Sequence, residues 1–302
     1  MSNRIKSEKV YRVDHLPGEE IDADQESGNL QSYREYDDSG HLIMEISYNS
    51  DGDISDKMEY SHDQDGRLVE TRIYGEYDEL LEQREVAWGE ENRISREIVR
   101  YQDGSEDIHE FFYDHKGNLT GIRVIDDEDE LEFSEKYFYD GEHAVKVERR
   151  NGDDELIFTQ EDEYEDGVIK MKSIWSAEEE EPFRIVQHFN AAGHRTAELR
   201  YDNHDRLVER NTYDLDSKGQ LICLVEENKF RKNTTGFSYD DHGNVIYQKE
   251  TDLNGNLNHE IYRQFNEAGE LLKTTVVAVI KPSMEKRAYT LIHRREMFEE
   301  QP

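Results

Sequence analysis

The sequence predicts an all-β fold, an array of antiparallel β-hairpin repeats forming a long curled or spiral sheet. Three observations predict it. One dozen-residue pattern recurs, as YDDSGHLIMEIS at 36–47, YDHKGNLTGIRV at 113–124 and YDDHGNVIYQKE at 239–250. Turn glycines fall at 40, 52, 66, 104, 117, 141, 152, 167, 193, 219, 243, 255 and 269. With degenerate turns at 89–92, 126–129 and 203–206, their mean spacing is about 13 residues, one strand plus one tight turn. Finally, the Ala/Leu-rich heptads and longer period of a helical repeat are missing.

Taken in chain order, residues 1–30 contain LPGEEIDADQESG and read as an irregular N-terminal arm. Residues 31–274 are the array. Its pattern places an aromatic four residues before the glycine and an aliphatic two after it, as in Tyr36/Gly40/Leu42, Tyr113/Gly117/Leu119 and Tyr239/Gly243/Val245. Aromatic and aliphatic are then the first pair outside the closing pair of a three-residue hairpin loop. In such a loop a type I turn is followed by a left-handed residue, the position that favours glycine. An Asp or Asn before it helps by bonding its own backbone. Each aromatic–aliphatic cross-strand pair contributes about 0.2–1 kcal/mol, which, repeated, offsets a thin core. Residues 275–302 differ in character. VVAVI at 276–280 reads as a last strand, Pro282 interrupts it, and AYTLI at 288–292 reads as a further strand or short helix. This segment is expected to cap the last sheet edge, or to dock a partner, because an open edge invites aggregation.

The Y-D-x-x-G-[NRH]-L core resembles the tyrosine–aspartate (YD) repeats of the Rhs, toxin-complex and teneurin proteins, whose β-hairpins spiral into a shell. The resemblance covers residues 31–274. It implies the hairpin architecture, and not encapsulation of a cargo by this chain alone. The sequence lacks the DPxG-type boundary and the self-cleaving domain that follow the shell in Rhs toxins. By the same resemblance, a role in toxin-system immunity, as a chaperone or as a secretion accessory is a plausible specialisation.

Composition agrees with a thin, extended sheet. The chain of 302 residues carries 72 acidic and 37 basic side chains, a formal charge of −35, yet holds 18 Tyr, 11 Phe and 2 Trp. That aromatic content exceeds what an acidic disordered tail carries. Neither a signal-peptide apolar run nor a stretch of membrane-span length is present. The expected location is the cytoplasm, with export by a dedicated secretion machine as the other route. The single cysteine, Cys223, lies in the aliphatic run LICLVEE and reads as a structural thiol.

The residue pattern points to binding rather than catalysis. Asp-rich turns at 63–66 and 214–219 lack the ligand set and closing Glu of a calcium loop. The histidines at 41, 62, 115, 194, 204 and 242 fall in or beside turns and read as solvated turn residues. The motifs of zinc proteases, nucleotide-binding loops and serine hydrolases are not found. No catalytic, cofactor or metal residue is therefore assigned, and the expectation is a non-enzymatic protein-interaction scaffold. The acidic runs DDEDELE at 126–132, EDEYED at 161–166 and EEEE at 178–181 are expected at the sheet rims. There they serve solubility or recognise a basic protein partner. The candidate partner-binding residues are Asp126, Asp127, Glu128, Asp129, Glu130, Glu178, Glu179, Glu180 and Glu181. The charge disfavours direct nucleic-acid binding. The alternative is a carbohydrate-binding repeat protein whose exposed aromatics stack on glycans, with Trp88 and Trp175 as first candidates against ordinary packing.

Overall fold

A computed structural model of the chain describes residues 4–19, 28–178, 181–281 and 283–298. The strands are β1 (Ile5–His15), β2 (Asn29–Tyr36), β3 (Leu42–Tyr48), β4 (Ile54–His62), β5 (Leu68–Tyr74), β6 (Leu80–Trp88), β7 (Ile94–Tyr101), β8 (Glu106–Tyr113), β9 (Leu119–Ile125), β10 (Leu131–Asp140) and β11 (His143–Asn151). They continue with β12 (Leu156–Glu165), β13 (Val168–Ser176), β14 (Phe183–Phe189), β15 (Arg195–Tyr201), β16 (Leu207–Leu215), β17 (Leu221–Asn228), β18 (Lys232–Tyr239), β19 (Val245–Thr251), β20 (Leu257–Phe265), β21 (Leu271–Ile280) and β22 (Glu285–Met297). The chain divides into two compact units, residues 1–107 with 259–302, and residues 108–258.

The recurring motif folds into one turn with a fixed chemistry. Tyr36 pairs with Leu42, Tyr113 with Leu119 and Tyr239 with Val245. In the first of these turns the Asp37 N–H donates to the His41 carbonyl at 2.9 Å and the Gly40 N–H to the Asp37 carbonyl at 3.0 Å. Gly40, Gly117 and Gly243 have φ of 92°, 90° and 88°, the left-handed conformation that costs other residues about 1–2 kcal/mol. The ladder register shifts just beyond each of these aromatic–aliphatic pairs, as a bulge next to such a loop requires. Where glycine is missing from this position, Asp78, Asp129, Asp154 and Asp205 hold it with φ between 57° and 64°. Gly152 is therefore not the left-handed residue of its turn; Asp154 is.

Among the described residues twelve turns share one cap: they begin with Asp or Asn, at 37, 49, 63, 114, 126, 151, 190, 202, 216, 240, 252 and 266, and in each the side-chain Oδ1 accepts the backbone N–H groups two and four residues on. The residue after the left-handed position completes the turn. Arg67 Nε donates to Asp63 Oδ2 at 2.7 Å, Asn118 Nδ2 to Asp114 Oδ2 at 3.0 Å and Asn244 Nδ2 to Asp240 Oδ2 at 3.0 Å, while His41 Nδ1 lies 3.0 Å from Asp37 Oδ2. This explains the Asn, Arg or His of the motif. The same side chain can also cover the next turn on its edge. A Cβ on Gly66 would lie 2.7 Å from His41 Nε2, and the His41 ring is stacked on His62 at 4.8 Å.

Within the first unit the ladder runs β20–β21–β22–β1–β2–β3–β4–β5–β6–β7, all antiparallel. The second unit is an antiparallel meander of β8 to β19. The expected curled or spiral sheet with free ends is overturned. β1 pairs with β22 as well as with β2, so the first and last strands of the 22-stranded sheet are joined to each other rather than left as free ends. A repeat of local turns carries no information about which distant strands meet, whereas closure removes the two exposed edges that a spiral would leave. The segment 1–30, expected as an irregular arm, supplies β1, and the segment 275–302 supplies the end of β21 and all of β22; Pro282 lies outside the described residues.

Burial is shallow. The buried apolar side chains are Val99, Val124, Val186, Ala288 and Ile292, and most strand residues are half-buried. β10 illustrates the alternation: Phe133, Glu135, Tyr137 and Tyr139 share the less exposed face, while Glu132, Lys136, Phe138 and Asp140 are exposed. At the β1–β22 seam a buried carboxylate does the joining. Glu8 meets Arg295 at 2.6 Å, His293 at 3.3 Å and Arg34 at 3.9 Å. The His293 hydrogen bond, opposed by burial and helped by Arg295, holds the Glu8 carboxyl below the usual range.

Two predictions follow from the turns and the seam. Gly255 has φ of 77° with open space at its Cβ position, whereas Gly66 has the same φ and faces His41. Gly255→Ala should cost about 1–2 kcal/mol and Gly66→Ala clearly more, the excess vanishing in a His41→Ala background; denaturant melts giving equal costs at both sites would remove the covering role of His41. The second concerns acid. Glu8 is held low as described, and the Asp202 carboxyl is lowered to about 2 by the hydrogen bond from Arg206. Groups depressed in the folded state stabilise it above their unfolded values of about 4, and that stability is lost as pH falls through the folded values. The melting temperature should be flat above about pH 5 and fall steeply toward about 2, the folded value of Asp202. Asp202→Asn should flatten the lower part of that fall. Glu8→Gln, by stranding the Arg295 charge, should cost about 3 kcal/mol at neutral pH.

Candidate interaction site

The meander decides which of the acidic residues can act together. Alternate connections of a meander leave from the same sheet edge, so in the second unit the turns at 126–130, 151–155, 177–182 and 202–206 share one edge. Asp126, Asp127, Glu128, Asp129 and Glu130 therefore stand on the same edge as Glu178 and Glu181; Glu179 and Glu180 lie outside the described residues. The run at 161–166 ends at the turn joining β12 to β13, on the opposite edge. Sequence reading did not single out Asp153, Asp154, Glu155, Asp202 and Asp205, which occupy the shared edge. Their signal was present in the turn at Gly152 and the degenerate turn at 203–206 but was read only as turn chemistry.

The acidic residues have different duties. Asp126 Oδ1 caps its own turn, accepting the N–H groups of Glu128 at 3.0 Å and Glu130 at 2.8 Å. Asp127, Glu128, Asp129 and Glu130 are exposed and make no ion pair among the described residues. Glu178 is anchored: Arg149 Nη1 lies 2.7 Å from its Oε1, and the same guanidinium reaches the buried Glu135 at 2.6 Å. Arg149 also lies over the Phe133 ring at 4.8 Å. Glu181 is exposed.

Glu178 and Glu181 border an open cleft of about 780 Å³ whose wall includes Phe183, Arg200, Tyr201 and Val208. The Arg200 guanidinium lies 3.9 Å from the Phe183 ring centre, and Arg184 lies 4.3 Å from that of Tyr201. Asp202 and Asp205 at this edge are engaged by Arg206 at 2.6 Å and Arg184 at 3.0 Å. Among the described residues of this edge, the carboxylates without an ion pair or hydrogen bond are thus Asp127, Glu128, Asp129, Glu130, Asp153 and Glu181, and of these Glu181 borders the cleft with aromatic walls. Such an arrangement can attract and seat a cationic surface; it presents no aligned nucleophile and base.

Other singled-out residues have structural partners. The Trp88 indole N–H donates to the Leu68 carbonyl at 2.9 Å with Arg67 over the ring, and Trp175 is half-buried between Thr159 and Arg184. His204 and His242 donate backbone N–H groups to the caps Asp202 and Asp240. Cys223 is half-buried opposite Asp214 and Gly236, and burial pushes its thiol pKa up. Among the described residues no group of three or more His, Cys, Asp or Glu is placed to hold a metal, and no helix is long and apolar enough to cross a membrane.

No protein-family model matches the chain, and no curated protein matches it. Among solved structures it is similar to one titled TcdB2-TccC3-Cdc42, at 12% identity and a TM-score of 0.31, over 89% of this chain and 17% of that one. The chain thus spans about a sixth of that structure's length. It is also similar to a porin-like protein from Bacteroides uniformis, at 9% identity and a TM-score of 0.31, over 97% of this chain and 96% of that one.

Proposed function

We propose that the chain is a non-enzymatic protein-interaction scaffold of YD-repeat type, and that the acidic edge of its second unit binds a basic protein partner. One observation carries this reading. Wherever a turn begins with Asp, the residue four positions on is a donor: His41, Arg67, Asn118, Arg206, Gln220, Asn244 and Asn256. Wherever that later residue is acidic, the turn begins with a neutral residue, as in Asn49/Asp53, Asn151/Glu155 and Asn266/Glu270. The 126–130 turn breaks the rule, setting Glu130 against Asp126. Two like charges replace a hydrogen-bonded pair, which weakens the turn. A sequence that needed only solubility could have kept the donor and carried charge at positions 127–129.

The reading keeps both sheet faces in water. A lipid-facing barrel surface carries an apolar band about 25 Å tall, whereas Glu161, Glu163 and Glu165 are the exposed positions of β12. Recovery of the native protein in carbonate-washed membranes would contradict this.

The decisive variant is Glu130→Asn, which restores the donor. It should raise the melting temperature and at the same time slow association with the basic protein captured from the native organism's extract. Raising salt from about 0.05 to 0.5 M shortens the Debye length from about 14 to 4 Å and should slow association of the unaltered chain in the same way. A stabilised Glu130→Asn chain that associates at the unaltered rate, or a partner that is itself acidic, would sink the proposal.

A further inference from the structure

On the second unit, β8, β9 and β10 place Phe112, Gly121 and Lys136 in one cross-strand row, and Glu110, Arg123 and Ser134 in the adjacent row on the same face. Gly121 does not have a positive φ, so backbone conformation is not what glycine supplies here. Its missing side chain leaves an open trough of about 330 Å³ bordered by Phe112, Arg123, Ser134 and Lys136, within the size of small-ligand sites, about 300–1,000 Å³. A Cβ at this position would approach the Glu135 carbonyl oxygen to 3.1 Å and point toward Phe112. Phe112 is 43% exposed, and Phe138, two residues beyond Lys136, is 42% exposed.

The charges around the trough favour an anion despite the acidic chain. Glu110 is paired with Arg123 at 3.6 Å. Glu148, opposite Lys136 on β11, is engaged by Lys146 at 3.0 Å and Arg150 at 3.9 Å. The Lys136 ammonium makes no hydrogen bond or ion pair among the described residues, and the Ser134 hydroxyl has no protein partner there. An exposed flat aromatic, an uncommitted ammonium and a free hydroxyl therefore surround one gap. We propose that this trough binds a carboxylate-bearing sugar of the hexuronic acid class. The C–H face of the pyranose lies on the Phe112 ring, the carboxylate pairs with Lys136 Nζ, and a ring hydroxyl bonds Ser134 Oγ. A neutral sugar keeps only the first and last of these, and an acidic peptide side chain only the second. The inference is independent of the acidic edge and of its partner.

Titration with methyl β-glucuronide and methyl β-glucoside, followed by saturation-transfer difference NMR, tests it. The glucuronide should bind roughly tenfold more tightly, the effect of one charge-assisted hydrogen bond. Lys136→Gln should reduce it to the level of the glucoside, and Phe112→Ser should abolish saturation transfer to both sugars. Both side chains are exposed, and unchanged melts of the two variants confirm that the fold is kept. Equal binding of the two sugars, glucuronide binding that is indifferent to Lys136→Gln, or no binding of either sugar overturns the proposal. A glutamate-containing peptide that binds as tightly as the glucuronide and ignores Phe112→Ser would replace the sugar with an acidic peptide.

Discussion

The capped hairpin turn is the constraint on which the rest of this sheet depends. With five buried apolar side chains among the described residues, hydrophobic burial at about 1.5–3 kcal/mol each gives little to specify register. A slip of one residue moves every side chain to the other face, so register must be set locally. At the twelve capped turns the Asp or Asn at the head does this by binding two backbone N–H groups, and the left-handed residue closes the loop. Each of those strand pairs is thus fixed at one end by a few polar atoms that lie within five residues of each other. Half-buried aromatic–aliphatic pairs such as Tyr36 and Leu42 then add their contribution on a register already chosen.

One ladder has no turn to set it. β1 and β22 are joined by no hairpin, and their ten-residue register, from Ile5 opposite Met297 to His15 opposite Ala288, must be chosen by side chains alone. Two of the most buried side chains of the first unit lie here, Ile292 and Thr290, each 1% exposed. Glu8, placed between Arg295 and Arg34, adds a charge requirement that a slipped register would violate. A buried ion cluster is weak evidence of net stability but a sound device for specifying alignment, and alignment is what a turnless ladder lacks.

The hairpins were legible because their determinants are local. Tyr36, Asp37, Gly40, His41 and Leu42 each have a duty within the same turn, so their spacing alone states the structure. Closure was not legible for the opposite reason. In IKSEKVYRVDH, residues 5–15, nothing indicates that the partner lies at 285–297, and Arg295, in the tail expected to cap an edge or dock a partner, serves Glu8. The acidic edge was legible in composition but not in arrangement. Runs at 126–132 and 161–166 look equivalent in sequence, yet strand parity sends them to opposite edges, and Glu178 belongs to Arg149 rather than to solvent.

Much of the acidity therefore arises from turn chemistry, which narrows what needs another explanation. Asp37, Asp63, Asp114, Asp202 and Asp240 are carboxylates because a cap with two oxygens can hold backbone and side-chain donors at once. Asp78, Asp154 and Asp205 stand where the backbone is left-handed, a conformation that Asp tolerates better than most residues. Removing these from consideration leaves few carboxylates on the edge of the second unit without a structural duty, and Glu130 among them acts against its own turn. A residue that works against the element carrying it is the kind of local inconsistency expected at functional or strained sites. Bulk charge does not discriminate among positions, so solubility does not account for an acid at the one place where the turn needs a donor. In the reading proposed above, a cationic surface that meets the four exposed carboxylates at 127–130 accounts for it, because binding would remove the repulsion that the free turn has to bear.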